Sequence, residues 1–199
     1  MQDEDDAIMI RIAGGDRAAL GLLMNRHAPR LTMVARRFLG SADEADDVIQ
    51  DVFFAVWQKA GRYRPGGAAS AATWLTRIAV NRCIDRHRAH RFRRWVGLDA
   101  APEAADPAAD PERTVAARST LERVCGEILN LPARQRMALL LASSGDADAE
   151  TIAETMEISR GAAEQLIVRA RRSLRAAMAA DDNDAGPAQA EPAPPEVRR

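Results

Sequence analysis

At 199 residues, 47% of them apolar, the chain is long enough for one large or two small domains with true cores. Aromatic residues make up only 4%, so aliphatic side chains must fill those cores. No apolar run approaches the roughly 20 residues that cross a bilayer, and the start, MQDEDDAIMI, is acidic where a secretory signal is basic; a cytoplasmic location and no membrane partner are expected. Two cysteines, Cys83 and Cys125, suggest neither a disulfide framework nor a metal site and read as unrelated thiols.

The net charge of −1 hides a segregation. Lys59 is the sole lysine; every other base is arginine. From Arg62 to Arg94 nine arginines face one acid, Asp85, and from Arg160 to Arg175 five face one, Glu164. Between Ser41 and Asp51 there are five acids and no base. Two basic blocks in one chain suggest two contacts with one polyanion.

In chain order nearly everything reads helical, since strand-like alternation is absent and alanine, leucine and arginine dominate. A first helix is expected over Asp5 to Ala13, ending at Gly14-Gly15. A second runs from about Arg17 to Phe38, with Leu20, Leu23, Met24, Leu31, Val34, Ala35 and Phe38 as its apolar stripe and Gly40 as its stop. SADE opens a third, with Ser41 as N-cap and Glu44 completing a capping box. Val48, Ile49, Val52, Phe53, Val56 and Trp57 form its apolar side. The loop GRYRPGGAASAA leads to a fourth helix, Thr73 to about Arg94. GLDAAPEAADPAADP, residues 97–111, reads as a flexible acidic linker and marks a domain boundary. Four shorter helices follow, over about Pro111–Asn130, Pro132–Ser143, Ala149–Met156 and Arg160–Ala180, with Pro132 suited to the first helical position. The tail, DDNDAGPAQAEPAPPEVRR, is too polar and proline-rich to fold.

Two segments carry chemistry. In AETIAETMEISRGAAEQLIVRARRSLR a short helix with Ile152 and Ala153 turns at Glu157-Ile158-Ser159 into a longer one. Ala163, Leu166, Ile167, Ala170 and Leu174 line its inner face, and Gln165, Arg169 and Arg172 fall opposite. This is helix-turn-helix geometry, suited to a major groove; the plainer alternative is an amphipathic hairpin with a solvated face. Position 157 would favour glycine or asparagine if its φ is positive. In the fourth helix, Arg77, Asn81, Ile84, Arg88 and Arg91 share one side, while Leu75, Ala79, Arg82 and Arg86 share the other. The first side offers phosphate contacts, and Asn81 an amide for a base edge or for its own helix. Tyr63 and Trp74 flank the glycine-rich loop as stacking platforms, though Trp74 is equally suited to the core.

ADDVIQDVFFAVW, TWLTRIAVNRCIDRHR, LPARQRMALLL and ISRGAAEQLIVRARRSLR, in that order, resemble a bacterial RNA polymerase sigma factor of the extracytoplasmic-function group of the sigma-70 family. The resemblance covers about Asp5 to Met178. It implies an all-α chain of two small helical domains joined by the acidic linker: a region 2 bundle over residues 1–96 and a region 4 helix-turn-helix over 112–180, with residues 181–199 as a disordered tail. It implies binding to core RNA polymerase, with region 2 on the β′ clamp helices through Asp46, Asp47, Gln50, Asp51 and Phe54, and region 4 on the β flap. Promoter DNA would be the second partner. Tyr63, Arg64, Thr73, Trp74, Arg77, Asn81, Arg88 and Arg91 would read the −10 element and hold an unpaired base; Arg160, Gly161, Ala162, Glu164, Gln165, Arg169 and Arg172 would read the −35 element. An anti-sigma factor would be a third partner, and no cofactor or metal is called for. At the start of the last helix the family often has a pattern like G-T-V-K-S-R; here it is Gly161-Ala162-Ala163-Glu164-Gln165-Leu166. A stand-alone helix-turn-helix regulator is the alternative function, but it leaves the basic end of the fourth helix without a role. An enzyme is not indicated: His27, His87 and His90 lack the carboxylate or cysteine arrangement of a catalytic or metal site, and no glycine-rich phosphate loop follows a strand.

Overall fold

The computed structural model describes residues 2–67, 69–96, 115–145 and 147–184. Every regular element among them is helical: α1 (Gln2–Ala13), α2 (Arg17–Leu39), α3 (Ala42–Lys59), a single 3-10 turn (Ala60–Arg62), α4 (Ala71–Trp95), α5 (Val115–Asn130), α6 (Ala133–Ser143), α7 (Ala149–Met156) and α8 (Arg160–Asp184). The acidic linker, 97–111, and the tail beyond residue 184 lie outside the described residues.

The helix ends follow from local chemistry. The Asp16 carboxylate accepts the Ala19 amide at 3.1 Å and starts α2. That helix runs on through Pro29, which is exposed. It stops at Gly40, whose φ of 76° only glycine adopts cheaply and whose amide closes on the Arg36 carbonyl. Ser41 then caps α3 by accepting the Glu44 amide at 3.4 Å. The expected capping box is only half made, because the Glu44 carboxylate turns instead to His90 on α4. Ser70 accepts the Thr73 amide at 3.1 Å, so α4 begins at Ala71 rather than Thr73. Pro132 stands at the N-cap of α6, one position before the expected one, with extended ψ of 136°. Helix α8 passes Ala180 because Asp181 to Asp184 contain no breaker; the first is Gly186-Pro187.

Helices α1 to α4 pack on one another, as do α5 to α8. The first core is built from Met9, Leu23, Phe38, Val48, Val52, Val56, Leu75 and Cys83, all essentially inaccessible. It is continuous with the buried side chains of the second group, Met137, Leu141, Ile152 and Ala163. Asp5 on α1 is buried and tied to α2, ion-paired with Arg26 at 2.5 Å, and with the His27 ring nitrogen 2.9 Å from its other oxygen. Burial pushes the Cys83 thiol up to about 12, while Cys125 is exposed; neither is in a disulfide.

The two helical groups also meet, with α2 against α5 and α6 and α4 against α6 and α7. Arg136 of α6 sits at this junction, 4% exposed. Its guanidinium donates to the carbonyl of Phe38, at the end of α2, at 2.6 Å, to that of Leu131 at 3.2 Å, and to that of Leu129. It also lies 5.2 Å from the centre of the Phe38 ring. Burial lowers its pKa from the ordinary arginine value. A buried cation survives only with such partners, and each carbonyl would in turn be orphaned without it. Replacing Arg136 with Met, which keeps length but donates nothing, is expected to cost about 2–4 kcal/mol of folding stability, read as a lowered midpoint in urea denaturation. An unchanged midpoint would show that the three carbonyls find other donors.

Candidate nucleic-acid interface

The loop before α4 is built around Asp6. The Tyr63 hydroxyl donates to the Asp6 carboxylate, which also accepts the Gly66 amide at 3.0 Å. Residues 64–67 make a tight turn: Pro65 sets the second position, Gly66 takes a φ of 68°, and the Gly67 amide returns to the Arg64 carbonyl at 3.1 Å. Burial and the neighbouring carboxylate both raise the Tyr63 pKa, so its hydroxyl stays protonated and donating. The Tyr63 and Trp74 rings lie 5.8 Å apart at a 57° tilt. Both are half-buried against the core, which leaves an edge of each in solvent. Nothing in the sequence pattern marks Asp6 as the anchor of a loop some 60 residues away.

On α4, Asn81, Arg88 and Arg91 are exposed, as is Arg64 in the loop. The Asn81 amide has no hydrogen-bond partner among the described residues, so it does not cap its own helix. Arg88 approaches Asp85 at 3.8 Å, a solvated pair of little energetic consequence. Thr73 and Arg77 are placed differently from the expectation. Thr73 is buried, its hydroxyl 3.0 Å from that of Ser70, and so secures the start of the helix. Arg77 reaches α7: it donates to the Glu154 carbonyl at 2.8 Å and pairs with Glu157 at 3.4 Å. A guanidinium at that C-terminus satisfies carbonyls that the helix cannot.

The helix-turn-helix is made by α7 and α8. Ile152 and Ala153 are buried where α7 crosses its neighbours, and Ala163, Ile167 and Ala170 bury the inner face of α8. Glu157 joins the two with φ 54° and ψ 50°, the left-handed conformation that the turn demands. Gly161, Glu164, Gln165, Val168, Arg169 and Arg172 line one shallow concavity on the outer face. Arg160 is exposed beside it and Ala162 half-buried. Glu164 and Leu166 stand where the family pattern is basic, and each has a separate cause. Leu166 packs against the core, and Glu164 pairs with Arg160 at 3.0 Å. Val168, 55% exposed between the polar residues, is an unexpected member of this face; an aliphatic group there suits a thymine methyl.

A third surface lies on α3. Asp46, Asp47, Gln50, Asp51 and Phe54 are all exposed, Phe54 by 63%. Asp46 meets Arg36 at 3.1 Å and Asp47 meets Arg86 at 3.5 Å. An uncovered phenylalanine rimmed by acids is what a protein partner with a basic, apolar surface requires.

Residues 23–93 match the family profile of sigma-70 region 2, and residues 127–174 that of sigma-70 region 4. The RNA polymerase sigma factor CnrH of Cupriavidus metallidurans is 32% identical over 187 residues, covering 90% of this chain and 97% of that one. The ECF RNA polymerase sigma factor SigM of Mycobacterium tuberculosis is 29% identical over 170 residues, 85% of this chain and 82% of its own. The chain belongs to the extracytoplasmic-function group of the sigma-70 family. A solved structure of CnrH in complex with the cytosolic domain of CnrY superimposes on this sigma factor with a TM-score of 0.66 at 28% identity, over 89% of this chain and 98% of that one. The sigma factor binds core RNA polymerase and directs promoter-specific initiation of transcription. With residues 23–93 matching region 2, a stand-alone helix-turn-helix regulator is set aside.

The sigma factor's α7 depends on its N-cap. Asp148 accepts the Thr151 amide at 2.8 Å and the Thr151 hydroxyl at 2.7 Å, and these bonds hold its carboxyl below the usual range. A depressed folded pKa means that the cap contributes fully above the unfolded value of about 3.9 and fades as pH falls through the folded one. Asp148→Ala is therefore expected to lower the melting temperature at pH 7 and to converge with the unmodified protein near pH 2, measured by calorimetry. A constant difference across that range would remove the carboxylate from the account.

Proposed function

We propose that this sigma factor divides its work among the three surfaces. The α3 stripe of Asp46, Asp47, Gln50, Asp51 and Phe54 docks on the β′ clamp helices of core polymerase. The loop and α4 read the −10 element through Tyr63, Arg64, Trp74, Asn81, Arg88 and Arg91, with Thr73 supporting the helix start and Arg77 contributing once parted from α7. The outer face of α8, with Arg160, Gly161, Ala162, Glu164, Gln165, Arg169 and Arg172, reads the −35 element while region 4 rests on the β flap. The observation that carries this reading is the exposed, unpaired amide of Asn81, set on an arginine-bearing helix beside the half-open Tyr63–Trp74 ring pair.

The energetics fit. Opening duplex DNA costs about 1.4 kcal/mol of stacking per base-pair step, and trapping one or two unstacked bases on aromatic and amide groups offsets part of it. Neither DNA-reading surface suffices alone; polymerase fixes their separation, and the second contact then forms at high effective concentration. The acidic, apolar α3 face also suits an anti-sigma factor that would compete with polymerase. The domain division falls at the acidic segment 97–111, the protein works as an initiation factor rather than an enzyme, and its setting is the cytoplasm; no helix among the described residues is long and apolar enough to cross a membrane.

Run-off transcription with core polymerase tests the assignment. Asn81→Ala is expected to change the preferred −10 sequence while core binding stays intact; an unchanged preference would confine α4 to phosphate contacts. Phe54→Ala is expected to weaken core binding by roughly ten- to a hundredfold, the value of one well-buried aromatic. Tight, sequence-specific binding to promoter duplex by the isolated protein would overturn the scheme.

A further inference from the structure

The last turn of α4 carries two aromatic side chains that the fold does not bury. Phe92 is 62% exposed and Trp95 82%, with ring centroids 6.2 Å apart. The other side of the same helix end is fastened down. His90 meets the Glu44 carboxylate, Arg93 donates to His90 at 2.9 Å, Arg86 meets Asp47 at 3.5 Å, and the His87 ring stands edge-on to Phe38 at 5.8 Å. These contacts, in which one His90 nitrogen faces both Arg93 and Glu44, set the rotation of the helix and leave Phe92 and Trp95 in water. At about 100° per residue, Asn81, Arg88, Arg91, Phe92 and Trp95 fall within an arc of roughly 100°. The aromatic pair therefore prolongs the stripe assigned above to promoter DNA.

We propose that Phe92 and Trp95 form a further DNA contact, in which the rings pack on deoxyribose and base faces while Arg88 and Arg91 hold the adjoining phosphates. The inference rests on the promoter reading of α4. Charge selects the occupant: from Arg86 to Arg94 there are five arginines and no acid, so the two rings are set in a field that attracts a polyanion. An apolar protein groove would have to desolvate those guanidiniums to reach the rings, whereas DNA neutralises them as it approaches. Aromatic rings beside arginines are the pairing by which proteins hold nucleic acid without reading sequence. The helix also fixes the position. Fourteen residues at about 1.5 Å each put Trp95 about 21 Å from Asn81, which is about six steps of 3.4 Å along DNA.

The test uses the full-length protein with core polymerase and a promoter fragment. A photo-crosslinking benzoylphenylalanine at position 95 is expected to attach to DNA about six nucleotides from the site labelled by the same group at position 81. The double variant Phe92→Leu with Trp95→Leu keeps apolar bulk but loses the flat rings. It is expected to lower promoter affinity of the holoenzyme by about tenfold while affinity for core polymerase is unchanged. Crosslinking from position 95 to a polymerase subunit, reduced core affinity, or unchanged promoter affinity in the double variant would each overturn the proposal. If the unmodified holoenzyme fails to select promoters, the underlying reading of α4 fails and this contact with it; if it selects them and only the crosslink or the variant disagrees, the failure belongs to Phe92 and Trp95 alone.

Discussion

A guanidinium in an apolar interior must find acceptors, and in this sigma factor that need joins the two helical groups. Arg136 belongs to α6, yet one of its three carbonyl partners is Phe38 at the end of α2, and its guanidinium carbon stands over the Phe38 ring, 5.2 Å from the centre. The same side chain thus closes the C-terminus of a region 2 helix and the turn between α5 and α6. Leu129 makes the apolar counterpart of this junction: its methyl groups press on Gly40, where an added Cβ would come within 3.0 Å. Gly40 is thus held to glycine by its φ of 76° and by its neighbour together. The end of α2, the start of α3 and the beginning of α6 are consequently set by one small cluster of contacts.

A second junction lies where α4 meets α7, and it has consequences for DNA. Arg77 holds the Glu154 carbonyl and the Glu157 carboxylate, so it is engaged with the turn of the helix-turn-helix. A phosphate contact by Arg77 would compete directly with those two acceptors. Glu157 is held in a left-handed conformation that costs a non-glycine residue about 1–2 kcal/mol. Its carboxylate is mostly exposed, so the ion pair with Arg77 returns only a fraction of that. The rest comes from the packing of α7 and α8, which requires a sharp turn at that residue whatever its side chain. The junction is polar and solvated, whereas the one around Arg136 is buried, and a solvated polar contact is the easier of the two to exchange for DNA.

Much of this was legible in the sequence because local rules govern helices. Ser41 and Gly40 cap where their chemistry says they should, and the apolar spacing of α2, α3 and α8 identifies the faces that are buried, except that Met24 of the α2 stripe is exposed. At position 157 the sequence offered only a condition, glycine or asparagine if φ is positive, and Glu157 takes a φ of 54° without being either. What the sequence concealed are side chains whose partners lie far along the chain. Thr73 looks like a surface hydroxyl until Ser70 claims it, and Arg77 shares the stripe of Asn81 yet is drawn to Glu157, 80 residues on. Glu44 completes a capping motif in sequence but answers to His90 in space. Asp6 carries no motif at all, and only the fold brings it beneath the loop it organises. Periodicity places a residue on a face; it does not say which neighbour will occupy that face.

The preference for arginine over lysine, 27 residues to one, takes on physical meaning once these sites are compared. The planar fork of Arg136 serves three carbonyls from one buried position beside an aromatic ring. Arg77 divides its two terminal nitrogens between a helix-end carbonyl and a carboxylate, and Arg26 divides its own between Glu4 and Asp5. An ammonium carries one compact, strongly hydrated charge and projects its three donors from a single nitrogen, without the planar fork whose separated nitrogens reach these acceptors. On the surface the same group is suited to forking onto phosphates and stacking on bases, the use proposed above for α4 and α8. A protein that must bind both its own backbone and DNA through cations gains from a single side chain suited to both. Arg136 finds its acceptors in the fold, and on the reading proposed above the exposed arginines of α4 and α8 find theirs in the promoter.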